Sequence, residues 1–403
     1  MVKVAILGFG TVGSGVAEVL TMNADSITKR VGTEVQLKYI VDIRDFPDSP
    51  YQDCFVKDFS VVENDPEVDI VVETIGGAKI ALEFTTRALK AGKSVVTSNK
   101  ELVATHGYEL FQLARANGCT YMYEASVGGG IPILRPMNTC LAANELNHIT
   151  GILNGTTNYI LTRMIRAGLT FDAALKEAQE KGYAEQDPTA DVDGHDACRK
   201  ICILAALAFG EHVYPEQVST QGIRGVTLED VAYADSLGYK IKLLGRAIRQ
   251  PENKVCAFVA PHLVPMGNPL AGVEDVFNAI AVNGNAVGDA MFYGRGAGKL
   301  PTASAVVADV IDIAKDLKRD HHNDWGPGSA DQVVSSDIVA SRWYIRAQAT
   351  KNQAEARFGE IELLSRIGAP AGEIAFRTAA MTEPALREKA DQLQVASLFR
   401  VLD

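Results

Sequence analysis

The sequence lacks the features that mark several specialised classes of protein. Its six cysteines include no pair separated by only two residues, so neither a zinc ribbon nor a disulfide framework is predicted. It has no basic stripe, and its formal net charge of −11 argues against nucleic acid or an anionic membrane as a partner. The first apolar run, Val2 to Leu7, is too short for a signal peptide or a membrane span. We therefore expect a cytoplasmic protein.

What the sequence contains is typical of a globular enzyme. Its 403 residues are 47% hydrophobic and 22% charged, which is enough for two or three domains with buried cores. Strand-like and helix-like segments alternate up to about Ile133, which predicts an α/β domain with a parallel sheet. The alternation then stops, and we expect a second domain of α+β type.

A glycine-rich turn follows the first predicted strand and precedes a helical pattern. Glycine is needed there for the tight turn, for close approach of the backbone to a pyrophosphate and for helix packing. This context favours dinucleotide binding over a turn without a ligand. The residues assigned to the cofactor at this turn are Gly8, Gly10, Thr11, Val12 and Gly13.

The second strand, Gln36 to Val41, ends in a sequence that bears on cofactor choice. An acidic residue here binds the ribose hydroxyls of NAD, whereas a nearby arginine binds the 2′-phosphate of NADP. Asp42 and Arg44 are both present. We favour NADP through Arg44, and use of both cofactors stays open.

Two further strands, Asp69 to Glu73 and Ser94 to Thr97, are followed by Thr74 and Lys100. Ligands of open parallel sheets lie beyond the carboxyl ends of the strands, so these residues are expected where cofactor and substrate meet. For Lys100 the alternative is a lysine that only caps or solvates a loop.

Glu124 precedes three consecutive glycines, Gly128 to Gly130. Such a run lets carbonyl oxygens converge on a monovalent cation, and it equally suits an interdomain hinge. The residues alone favour the hinge.

The stretch from Gly182 to Lys200 places five carboxylates and a lysine ahead of an apolar helix, Ile201 to Phe209. Acidic residues alone would indicate a solvated helix start. Asp196 and Lys200, however, are four residues apart and share a helix face beside the apolar run. Lys200 is therefore a candidate acid/base with anionic partners.

The last part of the chain contains a second glycine-rich turn, a linker and a small module. Tyr293 to Gly298 precedes a helix and either returns the chain to the nucleotide or marks a domain crossing. His321 and His322 are adjacent, so they are poor joint metal ligands and are interpreted as loop. The module is predicted as strand, helix, strand, helix, strand, with its first helix over Arg357 to Gly368.

Several segments together resemble the homoserine dehydrogenase family over residues 1–317. They are Thr97–Lys100, Gly155–Leu161, Gly182–Pro188 with Asp191, Asp196, Arg199 and Lys200, and Tyr293–Gly298. The resemblance implies hydride transfer with NAD(P) between L-homoserine and L-aspartate 4-semialdehyde, a step toward threonine and methionine. It also implies a dimer formed through the substrate domain.

The resemblance carries roles to individual residues. Lys200 would be the acid/base and Lys100 a second essential lysine. Glu124 would bind a monovalent cation, expected to be sodium, which reverses the hinge interpretation. The carbonyls of Val127, Gly129 and Ile131 would complete that cation site. The substrate ligands would be Glu185, Asp196, Asp191, Thr156 and Gly155, and further cofactor contacts would come from Thr74, Lys100, Gly182 and Gly298.

The C-terminal module resembles the regulatory ACT domain, although its first turn departs from the usual pattern and puts feedback by threonine in doubt. The predicted fold class is α/β, with a Rossmann dinucleotide-binding domain, an α+β substrate-binding and dimerisation domain and a small ACT-like domain. Predicted boundaries are 1–132 completed by about 298–318, then 133–297, a linker at 319–339, and 340–403.

Two other functions compete with this one. Another NAD(P)-dependent oxidoreductase of the same build, such as aspartate-semialdehyde dehydrogenase, forms a thioester and needs an activated cysteine with a histidine base. Cys119 and Cys140 have no such setting in the sequence. A nucleotide-sensing binding protein would use the Rossmann scaffold without catalysis, since a fold alone does not define a function.

Overall fold

The computed structural model describes residues 1–317 and 324–402. Its strands are β1 (Val2–Leu7), β2 (Val35–Val41), β3 (Phe55–Val56), β4 (Ile70–Glu73), β5 (Ser94–Thr97), β6 (Tyr121–Met122), β7 (Leu146–Ile152), β8 (Ser219–Thr220), β9 (Tyr239–Arg249), β10 (Val255–Pro265), β11 (Phe277–Gly284), β12 (Gly288–Arg295), β13 (Val333–Val334), β14 (Trp343–Gln348), β15 (Glu362–Leu364), β16 (Glu373–Arg377) and β17 (Gln394–Val401).

The α-helices are α1 (Thr11–Met22), α2 (Ala24–Val31), α3 (Ser60–Glu63), α4 (Lys79–Lys90), α5 (Lys100–Ala116), α6 (Leu134–Thr139), α7 (Gly155–Ala167), α8 (Phe171–Glu180), α9 (Thr189–Val192), α10 (His195–Phe209), α11 (Leu228–Ser236), α12 (Lys299–Lys315), α13 (Lys351–Phe358) and α14 (Glu383–Ala390). Among the described residues, none of these helices is both long and apolar enough to cross a membrane.

The chain divides into two compact units, and the first comprises residues 1–145, 202–215 and 294–329. Its sheet is parallel with the order β3-β2-β1-β4-β5-β6, which is the classic order of a Rossmann fold. The central strands are almost wholly apolar because helices cover both faces. The predicted Rossmann domain is therefore confirmed.

Helix α12 packs against α1 in the core of this first unit. The two helices approach closely at Gly15, where an added Cβ would lie 2.7 Å from the carbonyl oxygen of Lys299. The second glycine-rich turn thus leads from the second unit back into the first, and its contact with the nucleotide stays a prediction.

The second unit comprises residues 146–201, 216–293 and 330–403. Its mixed sheet has the main order β12-β11-β7-β9-β10-β17-β14-β16-β15. β9 pairs with β10 along its whole length, and three short parallel contacts with β13, β8 and β17 share the other edge of β10. A separate α+β domain was predicted and is confirmed.

The predicted helix over Arg357 to Gly368 is wrong. A capping box between Thr350 and Gln353 starts α13 six residues earlier, at Lys351. Gly359, with φ +76°, follows the last helical residue, and the chain then forms the short strand β15. The sequence pattern missed the cap and therefore displaced the helix.

The boundaries given for the predicted domains stay predictions. Part of the predicted linker, with His321 and His322, lies outside the described residues. Its later part holds β13, which pairs with β10.

Candidate active site

The glycine-rich turn of the first unit is built for close backbone contact. Gly8 has φ +89°, and a Cβ on Gly13 would lie 1.9 Å from the carbonyl oxygen of Gly8. α1 begins at Thr11, followed by Val12, and its first turn contains no acidic residue. Its N-terminal N–H groups and helix dipole therefore suit a pyrophosphate.

Thr74 follows β4 and supports this turn. Its hydroxyl lies 2.9 Å from the carbonyl oxygens of both Leu7 and Gly8, to either of which it can donate. The contact supports the turn from the neighbouring strand, and the predicted contact of Thr74 with the cofactor stays a prediction.

Asp42 and Arg44 form a charged pair at the end of β2. The carboxylate of Asp42 accepts from the backbone N–H of Phe9 at 2.7 Å and from Arg44 Nε at 3.0 Å. The Arg44 guanidinium holds the pKa of Asp42 well below its usual range. The side chain of Arg44 remains 59% exposed, which leaves it accessible to a ligand.

A cavity of about 380 Å³ lies at this end of the sheet, large enough to hold part of a dinucleotide. Lys57, which was not predicted as a site residue, lines this cavity beside Arg44. Lys57 Nζ donates to the carbonyl oxygen of Arg44 at 2.6 Å. A cation directly after β3 is the signal that could have found it. The lining includes Gly8, Gly10, Asp42, Arg44, Lys57 and Thr74.

Lys100 is the first residue of α5. Asn99 is the N-cap, and its side-chain oxygen accepts from the backbone N–H of Leu102 at 3.1 Å. The same side chain donates to the carbonyl oxygen of Gly77 at 2.8 Å. The position of Lys100 is therefore set by a capped helix start that is bonded to the loop after β4.

Glu124 is buried, and its carboxylate binds backbone N–H groups. It accepts from Ile133 at 2.7 Å, from Leu134 at 2.9 Å and from Arg135 at 2.7 Å. The carboxylate thus satisfies the start of α6, a role that sequence reasoning did not foresee. These three bonds leave the carboxylate little capacity for a cation, which favours the main-chain carbonyl of Glu124 as the ligand.

The glycine run after Glu124 is tightly packed. A Cβ on Gly129, which has φ +58°, would lie 2.2 Å from the carbonyl oxygen of Gly296. Gly130 N–H donates to the carbonyl oxygen of Arg295 at 3.0 Å. These contacts hold the glycine run in place against residues 295 and 296.

The second unit brings Lys200 and three polar side chains together. Lys200 is 7% exposed, and its Nζ donates to Asp196 Oδ2 and to the carbonyl oxygen of Leu153, each at 2.8 Å. Asn154 Nδ2 donates to Asp196 Oδ2 at 2.9 Å and to Asp191 Oδ1 at 2.7 Å. We name Asn154, Asp191, Asp196 and Lys200 the lysine cluster.

Asn154 was missed as a site residue because the sequence presented it only as a helix start. Its side-chain oxygen does cap α7 by accepting from the backbone N–H of Thr157 at 2.8 Å. Its amide nitrogen meanwhile separates two carboxylates. Burial first, and then the charge of Asp196, raises the pKa of Asp191. The cluster therefore holds negative charge that a cationic substrate group would stabilise.

The other predicted substrate ligands are close in the sequence to residues of the lysine cluster. Gly155 is the first residue of α7, and the hydroxyl of Thr156 donates to the carbonyl oxygen of Tyr183 at 2.7 Å. Glu185 is exposed, and its backbone carbonyl accepts from Gln179 at 3.0 Å. Gly182, with φ +72°, lies in the same loop of the second unit.

Gly298, with φ +129°, precedes α12 in the first unit. The cofactor contacts assigned to Gly182 and Gly298 stay predictions. Cys119 does not suit thioester chemistry, because burial raises the pKa of its thiol to about 11.

A Rossmann unit with a glycine turn, and a buried lysine paired with a carboxylate, are features of an NAD(P)-dependent oxidoreductase that acts on a CH–OH group. Two family models match the chain: "Homoserine dehydrogenase, NAD binding domain" over residues 8–124 and "Homoserine dehydrogenase" over residues 132–311. The chain belongs to the homoserine dehydrogenase family.

Individual relatives agree. The homoserine dehydrogenase of Neisseria gonorrhoeae is 43% identical over 360 residues, which cover 86% of this chain and 82% of that protein. A crystal structure of the Thiobacillus denitrificans enzyme superposes with a TM-score of 0.89 at 37% identity, covering 100% of this chain and 98% of the other.

A hyperthermophilic archaeal homoserine dehydrogenase in complex with NADPH gives a TM-score of 0.65 at 29% identity, covering 77% of this chain and 97% of that one. The chain described here therefore uses a nicotinamide cofactor to interconvert L-homoserine and L-aspartate 4-semialdehyde.

Proposed function

We propose that Lys200 exchanges the proton at the substrate oxygen. The observation that carries this role is its burial together with its fixed contacts to Asp196 and to the carbonyl oxygen of Leu153. When bound, the nicotinamide supplies or accepts the hydride. Reduction places negative charge on the aldehyde oxygen, and a positioned ammonium stabilises that charge and donates a proton. In the direction of oxidation the same lysine accepts the proton.

Asp196, Asp191 and Glu185 are proposed to bind the substrate ammonium. Two carboxylates of the lysine cluster are already joined through Asn154, so a second cation beside them is favoured electrostatically. Glu185 belongs to the loop that Thr156 holds through the carbonyl of Tyr183. The N-terminus of α7, at Gly155 and Thr156, suits the substrate carboxylate.

Lys100 is proposed as a second lysine that holds the substrate carboxylate or shares the proton transfer. Its support is its place at the start of α5, next to a loop that lines the cofactor cavity. Of the two lysines, we assign the donation of the proton to Lys200.

NADP is the proposed preferred cofactor. Arg44 and Lys57 give the cavity after β2 two cationic side chains, and a 2′-phosphate is recognised best by such groups. Asp42 is already engaged by Arg44 and by the N–H of Phe9, which makes it a weaker partner for ribose hydroxyls.

Replacing Arg44 with alanine is expected to raise the KM for NADP about tenfold or more, because a charge-assisted hydrogen bond contributes about 1.5–3 kcal/mol. The KM for NAD should change little, since NAD has no 2′-phosphate. The measurement is the rate of reduced nicotinamide formation from L-homoserine with each cofactor in parallel. Arg30→Ala, at an exposed position of α2, is the control. An equal effect of Arg44→Ala on both cofactors would rule out this reading of Arg44.

The cation site is proposed to use main-chain carbonyl oxygens of Glu124, Val127, Gly129 and Ile131. Two facts support this assignment. The Glu124 carboxylate is already bonded to three N–H groups, and carbonyl oxygens suit a hard monovalent cation. Sodium would then stabilise the segment between β6 and α6.

Sodium is therefore expected to raise the Tm by about 2–4 °C for each kcal/mol that its binding contributes. Calorimetry in sodium chloride and in choline chloride at equal ionic strength measures this difference. Identical transitions in the two salts, in protein first dialysed free of sodium, would contradict the cation site.

The proposal has three further parts. The chain forms a homodimer through the second unit, it is located in the cytoplasm, and its C-terminal module has a role in assembly or regulation. The support for the dimer is the extensive mixed sheet, whose outer strand β12 has exposed Met291 and Tyr293. Light scattering of the purified chain tests the dimer.

A further inference from the structure

Glu73 is a carboxylate in the interior of the Rossmann unit that no step above uses. It ends β4, is 0% exposed and pairs in register with Thr97 of β5. Its Oε1 accepts from the backbone N–H of Ile75 at 2.6 Å, and its Oε2 accepts from the hydroxyl of Thr97 at 2.5 Å. A buried carboxylate is unfavourable in a core, so its presence here calls for a role.

The hydrogen bonds of Glu73 continue to the start of α5. The oxygen of Thr97 accepts from the backbone N–H of Asn99 at 2.9 Å. Asn99 caps α5 and also donates from its side chain to the carbonyl oxygen of Gly77. Glu73 thus lies at the centre of a closed set of bonds that joins the loop after β4 to the helix that begins with Lys100.

We propose that Glu73 is a positioning residue: through Thr97 and Asn99 its carboxylate fixes the start of α5, and with it Lys100, against the cofactor loop Thr74–Gly77. The inference rests on the proposed participation of Lys100 in the reaction. Three residues of the loop line the cofactor cavity, so the same contacts set both the cofactor wall and the lysine.

The protonation state of Glu73 sets the strength and direction of its bond to Thr97. The ionised carboxylate accepts both of its bonds, whereas a protonated one must donate from one oxygen. The bond to Thr97 would then reverse, with the Thr97 oxygen accepting from both Glu73 and Asn99, and the added strength of a bond to a charged carboxylate would be lost. Tyr121 of β6 is the ionisable group that faces Glu73, and Leu7 of β1 and Thr97 of β5 flank it. Burial raises the pKa of Glu73 to about 7, within the range of an enzyme assay.

The test is kcat/KM for L-homoserine at saturating cofactor between pH 6 and 9, in the full-length enzyme. Glu73→Gln imitates the protonated carboxyl, so its rate should fall about tenfold below the unmodified enzyme at pH 8.5. The two rates should converge at pH 6, where the native Glu73 is itself protonated. Titrations of other groups cancel in the ratio of the two rates.

Thr97→Val removes the hydroxyl that joins Glu73 to Asn99, so its kcat/KM should fall as far as that of Glu73→Gln. Thr97→Ser keeps the hydroxyl, so its kcat/KM should stay close to that of the unmodified enzyme. Thr85→Val, which removes a buried hydroxyl from α4 of the same unit, is the matched control. Thermal unfolding checks each fold, and Thr97→Val carries the test if Glu73→Gln does not fold.

A ratio of rates that stays constant with pH, or a Thr97→Val enzyme at the unmodified rate, would overturn the positioning role. Lys100→Ala separates this inference from the proposed function. If that variant keeps its rate, Lys100 is not required, whereas the pH-dependent ratio for Glu73→Gln would still show a link to the cofactor loop.

Discussion

Replacing Lys200 with alanine is expected to lower kcat about a thousandfold, within the range that one general acid or base contributes. Its Nζ is held between Asp196 and the carbonyl of Leu153, so no neighbouring side chain can take its place without rearrangement. The glycine turn that we propose binds the cofactor belongs to the first unit. Cofactor affinity, measured by fluorescence titration, should therefore stay almost unchanged.

Lys176→Ala is the matched control, because this lysine lies on α8 of the same unit and its side chain is 78% exposed. It should keep full activity. Unfolding curves of both variants exclude a loss of structure as the cause. A Lys200→Ala enzyme that is folded and retains more than a tenth of the rate would contradict the proton-transfer role.

Asp230→Ala is expected to destabilise the second unit by about 3–5 kcal/mol, the effect of breaking a buried ion pair from one side. Asp230 is 0% exposed, and its Oδ1 accepts from Tyr344 at 2.9 Å and from Arg346 Nε at 2.8 Å. Its Oδ2 accepts from Ser397 at 2.9 Å. Removing the carboxylate deprives the guanidinium of Arg346, a residue that is 8% exposed, of its hydrogen bonds to Asp230.

Denaturant unfolding followed by circular dichroism measures this loss. Asp235→Ala, at an exposed position of the same helix, should change the free energy of unfolding by less than about 0.5 kcal/mol. The double variant Asp230→Leu, Arg346→Met removes both charges and should recover only part of the stability, because Tyr344 and Ser397 still lose their acceptor. A single variant as stable as the control would show that the ion pair contributes nothing.

Much of the first unit follows directly from its sequence. β1 and β5 lie where the apolar runs predict them, and the glycine spacing fixes the turn between β1 and α1. Local chemistry decides these features, since only glycine allows the close contact at Gly13. The place of Lys200 on a helix beside Asp196 likewise follows from a spacing of four residues.

Features that depend on distant partners could not be predicted in this way. Asn154 joins Asp191 and Asp196, which lie 37 and 42 residues further along the chain. Asp230 and Arg346 are separated by 116 residues, and nothing near either one in the sequence indicates the other. The carboxylate of Glu124 could be assigned to the start of α6 only after the backbone between them was known.

The shared edge of β10 has a consequence for how the protein is made. β17 pairs with β10 at His262 and Leu263, and the backbone N–H of Leu402 donates to the carbonyl oxygen of Leu263 at 2.9 Å. This part of the edge is completed by a strand that follows β10 far along the chain, so β10 is synthesised well before β17. Until then β10 presents unpaired N–H and C=O groups to other nascent chains, a template for aggregation. Translation that stops before β17 would leave a full catalytic sequence with an open sheet edge, and chaperone demand should peak in that interval.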